Sequence, residues 1–261
     1  MKSEFVEKVT LGVDGIRLAA EVYYPEGSGS FPALIICHGI PARRTPDPLD
    51  PGYPLLARRF CDQGFLVLIF NFRGSGESEG NFDMMGWTRD LGAAIDYLYK
   101  RTDVDKSRLS VMGFSGGAAA SAYCTARDKR VSHLVLCACP ARFFDIAGFN
   151  RIDEFIENCR QVGIIRDADF PPSLEKWAAG FIETSPLLCV HDVSPRPILI
   201  VHGDADETVP LSNAWDIYQE AGDPKDISII EGADHRLRHN EPAMHIALAW
   251  LKRVNSLSEG V

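Results

Sequence analysis

The sequence predicts an α/β protein in which helices cover both faces of a largely parallel sheet. Short apolar runs typical of strands alternate along the chain with amphipathic patterns typical of helices. Parallel strands require crossover connections, so this alternation favours a sheet that is buried on both faces. The chain has 261 residues, 46% of them hydrophobic, which is enough for a large core and predicts one domain over residues 1–261.

The first element is predicted to be an antiparallel hairpin. Its strands cover residues 5–11 and 16–24, and the Asp14-Gly15 pair between them suits a tight turn. Beyond the hairpin, runs rich in Val, Ile and Leu predict further strands, and helical periodicity predicts helices between them. These strands are 33–37, 65–70, 109–112, 134–137, 198–201 and 227–230, and the helices are 55–61, 87–100, 116–127, 211–221 and 242–254.

The segment from about residue 140 to 191 interrupts this alternation, and we expect it to form a small helical cap inserted into the domain. Two apolar stripes at helical spacing, divided by the segment 170–172, predict two short helices. Trp177 and Phe181 are four positions apart, so they project from one face of the second helix. Such a stripe is either a packing face or a wall of the acyl or alcohol pocket of an active site, and the sequence leaves both interpretations open.

A serine on a strand-to-helix turn is the strongest functional signal. Gly113-Phe114-Ser115-Gly116-Gly117 directly follows the predicted strand 109–112 and opens the predicted helix 116–127. A G-x-S-x-G turn needs glycine on both sides because the backbone is strained at the serine and the strand and helix approach closely. Such a turn presents the hydroxyl at the carboxyl edge of the sheet, so Ser115 is the candidate nucleophile.

A serine hydroxyl becomes an effective nucleophile only when a base takes its proton and a third group orients that base. Two later loops, each directly after a predicted strand, offer these groups. The first holds Asp206 within the acidic segment 202–210, and the second holds His235. Open α/β sheets collect their ligands at the carboxyl ends of the strands, so we expect these side chains to lie near Ser115.

Four segments, found together and in order, resemble the α/β-hydrolase superfamily over about residues 10–251. The chain is similar in particular to its serine esterases and to its prolyl-oligopeptidase-like and dienelactone-hydrolase-like members. The resemblance implies a triad of Ser115, Asp206 and His235, in the family's chain order, and an oxyanion hole formed by the amides of Gly116 and Ile40. No Gly-Gly-Gly run follows residue 38, unlike in lipases that have that motif. The four segments that carry the resemblance are residues 37–39, 71–78, 113–117, and 202–210 with 234–235.

Rival acids lie in these two loops, and rival histidines directly follow predicted strands. The family's loop motif favours Asp206 as the acid, and Asp204 is expected instead to bond the loop backbone. His235 follows the last predicted strand in a glycine-containing loop and is the preferred base. The remaining rivals are Glu207 and Asp234 for the acid and, for the base, His38 and His202, each followed by a glycine in a tight turn that suits a structural hydrogen bond.

The glycine-rich segment 74–78 does not predict a nucleotide site. The third glycine, Gly80, comes one residue too late for G-x-G-x-x-G, and no clear helix opens there. Arg73, which precedes the segment, is expected to be a buried or loop-anchoring guanidinium.

Composition restricts the partners and the compartment. A net charge of −9 and dispersed basic residues argue against a nucleic-acid partner. No run has the length and apolar character of a transmembrane helix, and the first residues lack a signal-peptide core, so we expect a soluble, cytoplasmic protein with no membrane partner. The seven cysteines fall mostly inside apolar runs and predict buried thiols rather than disulfides.

No histidine or cysteine spacing typical of a zinc site occurs, and no metal or organic cofactor is expected. The sequence leaves the oligomeric state open, with a homodimer as one option.

Together these observations predict a serine hydrolase that cleaves small-molecule carboxylic esters through an acyl-enzyme intermediate. Ser115 would attack the carbonyl carbon while His235 accepts its proton and Asp206 orients the imidazole. The alternatives are a peptidase or an acyl-thioesterase on the same fold, and a non-catalytic hydrolase-fold binding protein, because a fold does not choose among these functions.

Overall fold

The computed structural model describes residues 5–42, 50, 52–143 and 151–256. The strands in chain order are β1 (Phe5–Val13), β2 (Ile16–Tyr24), β3 (Phe31–Cys37), β4 (Leu66–Phe70), β5 (Val104–Phe114), β6 (His133–Cys137), β7 (Ile198–Gly203) and β8 (Lys225–Ile230). The helices are α1 (Gly52–Cys61), α2 (Met84–Lys100), α3 (Gly116–Arg127), α4 (Ile152–Val162), α5 (Leu174–Glu183), α6 (Ser212–Glu220) and α7 (Glu241–Val254).

The strands form one sheet in the order β1-β2-β4-β3-β5-β6-β7-β8. β2 pairs antiparallel with β1 and β4, and the remaining neighbours are parallel. On one face, α1 and α7 contribute Phe60 and Leu251 to the core, and on the other α2 and α3 contribute Leu91 and Ala119. This mostly parallel sheet with helices on both faces confirms the predicted fold class.

The start of β5 differs most from the sequence prediction. The strand begins at Val104 instead of residue 109, because Val104 pairs with Phe31 at the edge of the parallel region. The intervening residues include exposed Lys106 and Ser107. They lack the apolar character of a buried strand, and the pairing with β3 shifts its register between Phe31 and Ala33.

The hairpin turn between β1 and β2 forms as the Asp14-Gly15 pair predicts. Both residues have positive φ, 52° for Asp14 and 78° for Gly15, which is the conformation that a two-residue hairpin turn of type I′ requires. Val13 pairs directly with Ile16 across the turn. The turn therefore fixes the register of the two outer strands.

A buried ion pair anchors the loop after β4. Arg73 donates to Asp90 of α2 through Nε at 3.0 Å and Nη2 at 2.7 Å, and its backbone amide donates to the same carboxylate at 2.8 Å. Asp90 is fully buried. Arg73 Nη2 also donates to Asp14 in the hairpin turn at 2.8 Å. Arg73 is thus the buried loop anchor that the sequence predicts, and it connects the hairpin, the β4 loop and α2.

Helices α4 and α5 lie between β6 and β7, where the sequence predicts the cap, and residues 144–150 of that segment lie outside the described residues. Arg166, between the two helices, donates to the carbonyl oxygens of Gly74, Gly76 and Ser78 at 3.1, 3.0 and 2.7 Å. The cap is therefore tied to the loop after β4. In the part of the chain that the structure describes, no helix combines the length and apolar character needed to cross a bilayer.

Acid is expected to destabilise the fold through buried histidines such as His133, the first residue of β6. Burial lowers the pKa of His133 from 6.5 to about 4, so between these values the unfolded chain binds a proton that the folded chain does not. The stability due to the neutral ring is complete above this range and falls by about 1.4 kcal/mol per pH unit as the pH drops through it. When the pH is lowered from about 7.5 to about 5, the free energy of unfolding should therefore fall by about 2 kcal/mol less in His133→Asn than in the wild type, as measured by urea unfolding.

The matched control is His245→Asn, which removes an exposed histidine from α7. Because it removes no buried ring, it should not reproduce the effect of His133→Asn. Equal losses of stability on acidification in the wild type and in His133→Asn would contradict the prediction.

Candidate active site

Ser115 lies on a strained turn between β5 and α3. Its backbone has φ 51° and ψ −124°, with a positive φ that side-chain-bearing residues rarely adopt. Close packing requires the flanking glycines. A Cβ at Gly113 would lie 2.5 Å from Ala118 Cα, and one at Gly117 would clash with the carbonyl oxygen of His38. The turn leaves the serine half-buried at the carboxyl edge of the sheet.

Asp206 follows β7 and is held by the turn that it begins. Its Oδ1 accepts hydrogen bonds from the amides of Thr208 and Val209 at 2.9 and 2.8 Å, the pattern of an Asx turn. The carboxylate is fully buried. Burial alone would raise the pKa of Asp206, but hydrogen bonds from His235 and the Val209 amide outweigh it and hold the pKa below its usual value. The carboxylate therefore stays ionised at neutral pH.

The loops after β7 and β8 are held against each other. Gly203 lies so close to Ala233 that a Cβ at Gly203 would clash with the Ala233 carbonyl oxygen. The amide of Gly232 donates to Asp204 Oδ1 at 2.6 Å. Asp204 thus bonds loop backbone, as predicted, but the backbone belongs to the neighbouring loop. These contacts fix the loop that carries His235.

The structure brings Ser115, His235 and Asp206 together in one hydrogen-bonded series. His235 Nδ1 is 2.8 Å from Asp206 Oδ2, and His235 Nε2 is 3.0 Å from Ser115 Oγ. An ionised carboxylate accepts only, so Nδ1 carries the proton of the neutral imidazole and Nε2 presents its lone pair to the serine hydroxyl. This arrangement can take a proton from Ser115 Oγ and hold the resulting imidazolium beside a negative charge.

The rival histidines are engaged by backbone groups. The Phe72 amide donates to His38 Nε2 at 3.0 Å, and His38 Nδ1 donates to the Gly39 carbonyl at 2.7 Å. Burial lowers the pKa of His38 to about 4, so the ring is neutral and both nitrogens have partners. His202 Nε2 lies 2.9 Å from the Val209 carbonyl. The rival acids are all exposed, and none of them hydrogen-bonds His235 among the described residues: Asp204, Glu207 and Asp234.

The amides of Ile40 and Gly116 lie next to each other beside the serine. A Cβ at Gly116 would be 3.7 Å from Ile40 N, and one at Gly39 would be 3.0 Å from Ser115 Cβ. Neither the Ile40 nor the Gly116 amide donates a hydrogen bond to another residue in the described ranges. Gly116 is also the first residue of α3, and the free amides at a helix N-terminus favour an anion there.

A cluster that sequence analysis missed packs against the serine turn. Arg238, from the loop after β8, donates to Asp50 Oδ1 at 2.6 Å and lies 4.6 Å from the ring centroid of Tyr53 on α1. The Tyr53 ring is 5.9 Å from that of Phe114. The Arg238 guanidinium lowers the pKa of Asp50 to about 2. No sequence signal marks this cluster, because Asp50 and Arg238 are 188 positions apart.

Trp177 and Phe181 project from one face of α5, as their spacing predicts, with ring centroids 4.8 Å apart. Both rings are buried, and they pack edge-to-face against Phe82. The Trp177 indole N–H donates to the Phe82 carbonyl at 2.9 Å. These contacts favour the packing interpretation over the pocket interpretation, and a role of the two residues in a substrate pocket stays a prediction.

Comparison with known sequences identifies the family of the chain. A model described as the prolyl oligopeptidase family matches residues 55–257. The uncharacterized protein YfhR of Salmonella typhi is 33% identical over 179 residues, which cover 65% of this chain and 54% of that protein. The uncharacterized protein Rv2307c of Mycobacterium tuberculosis is 27% identical over 231 residues, which cover 88% of this chain and 71% of that protein. The chain spans about half the length of the Salmonella YfhR proteins that it matches.

Solved structures share the fold along almost the whole chain. The α/β hydrolase GrgF from Penicillium sp. sh18 matches with a TM-score of 0.74 at 21% identity, covering 96% of this chain and 98% of that chain. The esterase domain of a Rhodothermus marinus protein has a TM-score of 0.68 at 21% identity, and the match covers 95% of this chain and 98% of that chain. Acetyl xylan esterase from Paenibacillus sp. R4 has a TM-score of 0.69 at 21% identity, and the match covers 96% of this chain and 85% of that chain. The likeness shows the α/β-hydrolase fold.

Removal of the Trp177 ring is expected to destabilise the protein. Trp177→Ala would leave a cavity in the aromatic cluster and an unpaired carbonyl at Phe82, so the free energy of unfolding should fall by about 3–5 kcal/mol. Leu174→Ala, on the exposed side of the same helix, is the control and should cost far less. Urea unfolding of both variants measures the difference, and equal small losses would show that Trp177 does not hold the cap in place.

Proposed function

Because the chain belongs to the prolyl oligopeptidase family, we propose that it is a serine hydrolase that cleaves carboxylic esters through an acyl-enzyme intermediate. One observation carries the proposal, namely that the three side chains form one continuous hydrogen-bonded series. Ser115 Oγ lies 3.0 Å from His235 Nε2, and His235 Nδ1 lies 2.8 Å from Asp206 Oδ2. That series is what a serine needs to act as a nucleophile at neutral pH.

In the first half-reaction, Ser115 Oγ attacks the ester carbonyl carbon while His235 Nε2 takes the hydroxyl proton. The imidazolium that forms is stabilised by the buried Asp206 carboxylate, which also keeps Nδ1 protonated. His235 then gives the proton from Nε2 to the leaving alkoxide oxygen. The alcohol departs, and the acyl group stays on Ser115.

The amides of Ile40 and Gly116 are the proposed oxyanion hole. Both are free of other hydrogen bonds to described residues and lie beside the serine. Two fixed N–H donors would stabilise the negative charge that develops on the carbonyl oxygen, a contribution of about 3–4 kcal/mol per donor in enzymes of this kind. Their positions are set by backbone packing, so no reorganisation is needed during the reaction.

In the second half-reaction, water takes the place of the alcohol. His235 removes a proton from the water as it attacks the acyl carbon, and returns the proton to Ser115 Oγ as the carboxylic acid leaves. Each group therefore ends in its starting state. No other reactant is required.

A peptidase is the second candidate, because the family model that matches is that of a peptidase family. Esters are preferred here because an ester is intrinsically more reactive toward a serine nucleophile than an amide, since an alkoxide is a better leaving group than an amide anion. The esterases among the structural neighbours are consistent with this choice. Rates on aryl esters of increasing acyl length, on aminoacyl amides and on acyl thioesters separate the three substrate classes.

Ser115→Ala is expected to abolish covalent labelling by a fluorophosphonate and to lower kcat on the best substrate of that series by a factor on the order of 10⁴ or more. The reason is that no other group in the proposed mechanism forms the acyl intermediate. Ser107→Ala, at the exposed opposite end of β5, is the control. Full activity of Ser115→Ala, with an unchanged melting curve, would end the proposal.

The acid is tested by two isosteric changes. Asp206→Asn should lower kcat by a factor on the order of 10³–10⁴, because the amide cannot stabilise the imidazolium and favours the wrong imidazole tautomer. Asp204→Asn is the matched control: it alters a carboxylate that also accepts a backbone N–H, and its kcat should stay within a few-fold of the wild type. The reverse ranking in steady-state assays would reassign the acid to Asp204.

A further inference from the structure

His202, near the end of β7, is a fully buried histidine that takes no part in the proton transfers described above. Its side chain is completely inaccessible to solvent. Its Nε2 lies 2.9 Å from the carbonyl oxygen of Val209 and 3.4 Å from Asp206 Oδ2. The imidazole is thus in contact with the turn that holds the proposed catalytic acid.

The surroundings of His202 fix its proton. A carbonyl oxygen only accepts, so Nε2 must donate to Val209. Burial lowers the pKa of His202, which keeps the ring neutral. Nδ1 is buried and has no hydrogen-bond partner among the described residues, so a second proton there would find no acceptor. The ring is held as the neutral tautomer with its N–H on Nε2.

Val209 connects His202 to the carboxylate. Its carbonyl accepts the imidazole N–H at 2.9 Å, while its amide donates to Asp206 Oδ1 at 2.8 Å. Val209 thus accepts a hydrogen bond from His202 and donates one to Asp206. Loss of the imidazole N–H would release the far end of the turn that orients the carboxylate.

The second carboxylate oxygen faces two imidazole nitrogens. Asp206 Oδ2 lies 2.8 Å from His235 Nδ1 and 3.4 Å from His202 Nε2. The His202 N–H donates to Val209 and flanks Oδ2, and rotation of the carboxylate away from His235 would break the hydrogen bonds that Oδ1 accepts in the Asx turn. We propose that His202 is a positioning residue that acts through Asp206, an inference that rests on the proposed serine-hydrolase function.

The test compares two substitutions that differ in where they place an N–H. The amide nitrogen of Gln reaches the position of histidine Nε2, whereas that of Asn reaches only the position of Nδ1. His202→Gln should therefore keep kcat within about threefold of the wild type. His202→Asn should lower kcat by a factor on the order of 10² with KM within twofold, the size of effect that a misplacement of about 1 Å produces.

Proton NMR of the resting protein gives a second readout that needs no turnover. The downfield resonance of the His235 Nδ1 proton in its bond to Asp206 should persist in His202→Gln and broaden or disappear in His202→Asn. If the Asn variant does not fold, His202→Met fills most of the volume without an N–H and carries the same expectation. His133→Asn, a buried histidine in the same sheet, is the matched control and should change neither kcat nor the resonance.

The outcomes separate the inference from the function on which it rests. Equal kcat values for the Gln and Asn variants, or an undisturbed resonance in His202→Asn, would overturn the role of His202, whatever substrate the protein takes. Failure of a fluorophosphonate to label Ser115 in the wild type would instead overturn the proposed function. A lowered kcat and a lost resonance in His202→Asn, with both retained in His202→Gln, is the result that the inference requires.

Discussion

The close approach of β3, β5 and α3 around Ser115 is the constraint on which the rest of the site depends. At Gly113 and Gly117 the neighbouring backbone leaves no room for a side chain, and at Gly39 the room is tight. The positive φ of Ser115 costs energy, and the contacts that sustain it come from separate elements of the sheet and helix layers. The same contacts bring the Ile40 backbone beside the serine turn, so the proposed nucleophile and the proposed oxyanion donors are fixed by one packing arrangement.

The proposed acid and base come from different loops, and the geometry between them depends on the pairing of β7 with β8. The two strands run parallel in register up to the pair of Gly203 with Ile230, and the loops that follow are bonded to each other through Asp204 and Gly232. The distance from Asp206 to His235 is therefore set by the sheet. A change in either strand's position would alter the distance between the proposed acid and base without touching either side chain.

Hydrogen-bond partners decide what each histidine at this edge of the sheet can do. His38 has both ring nitrogens bonded to backbone groups, and His202 donates its one N–H to a carbonyl oxygen. Burial favours the neutral form of both rings. His235 differs because a carboxylate holds one nitrogen and the other faces a serine hydroxyl. The same side chain is thus structural at two positions and suited to proton transfer at the third.

The sequence by itself determined the features that local patterns control. Alternating strand and helix periodicities predicted the fold class, Asp14-Gly15 predicted the hairpin turn, and the glycines around Ser115 predicted the strand-to-helix turn. Only the tertiary structure decided the partners of distant residues, such as Asp50 with Arg238, and the burial of Trp177 against the Phe82 carbonyl. The physical reason is that local patterns report backbone conformation and which face is apolar, whereas contacts between residues far apart in the chain depend on how all the layers pack together.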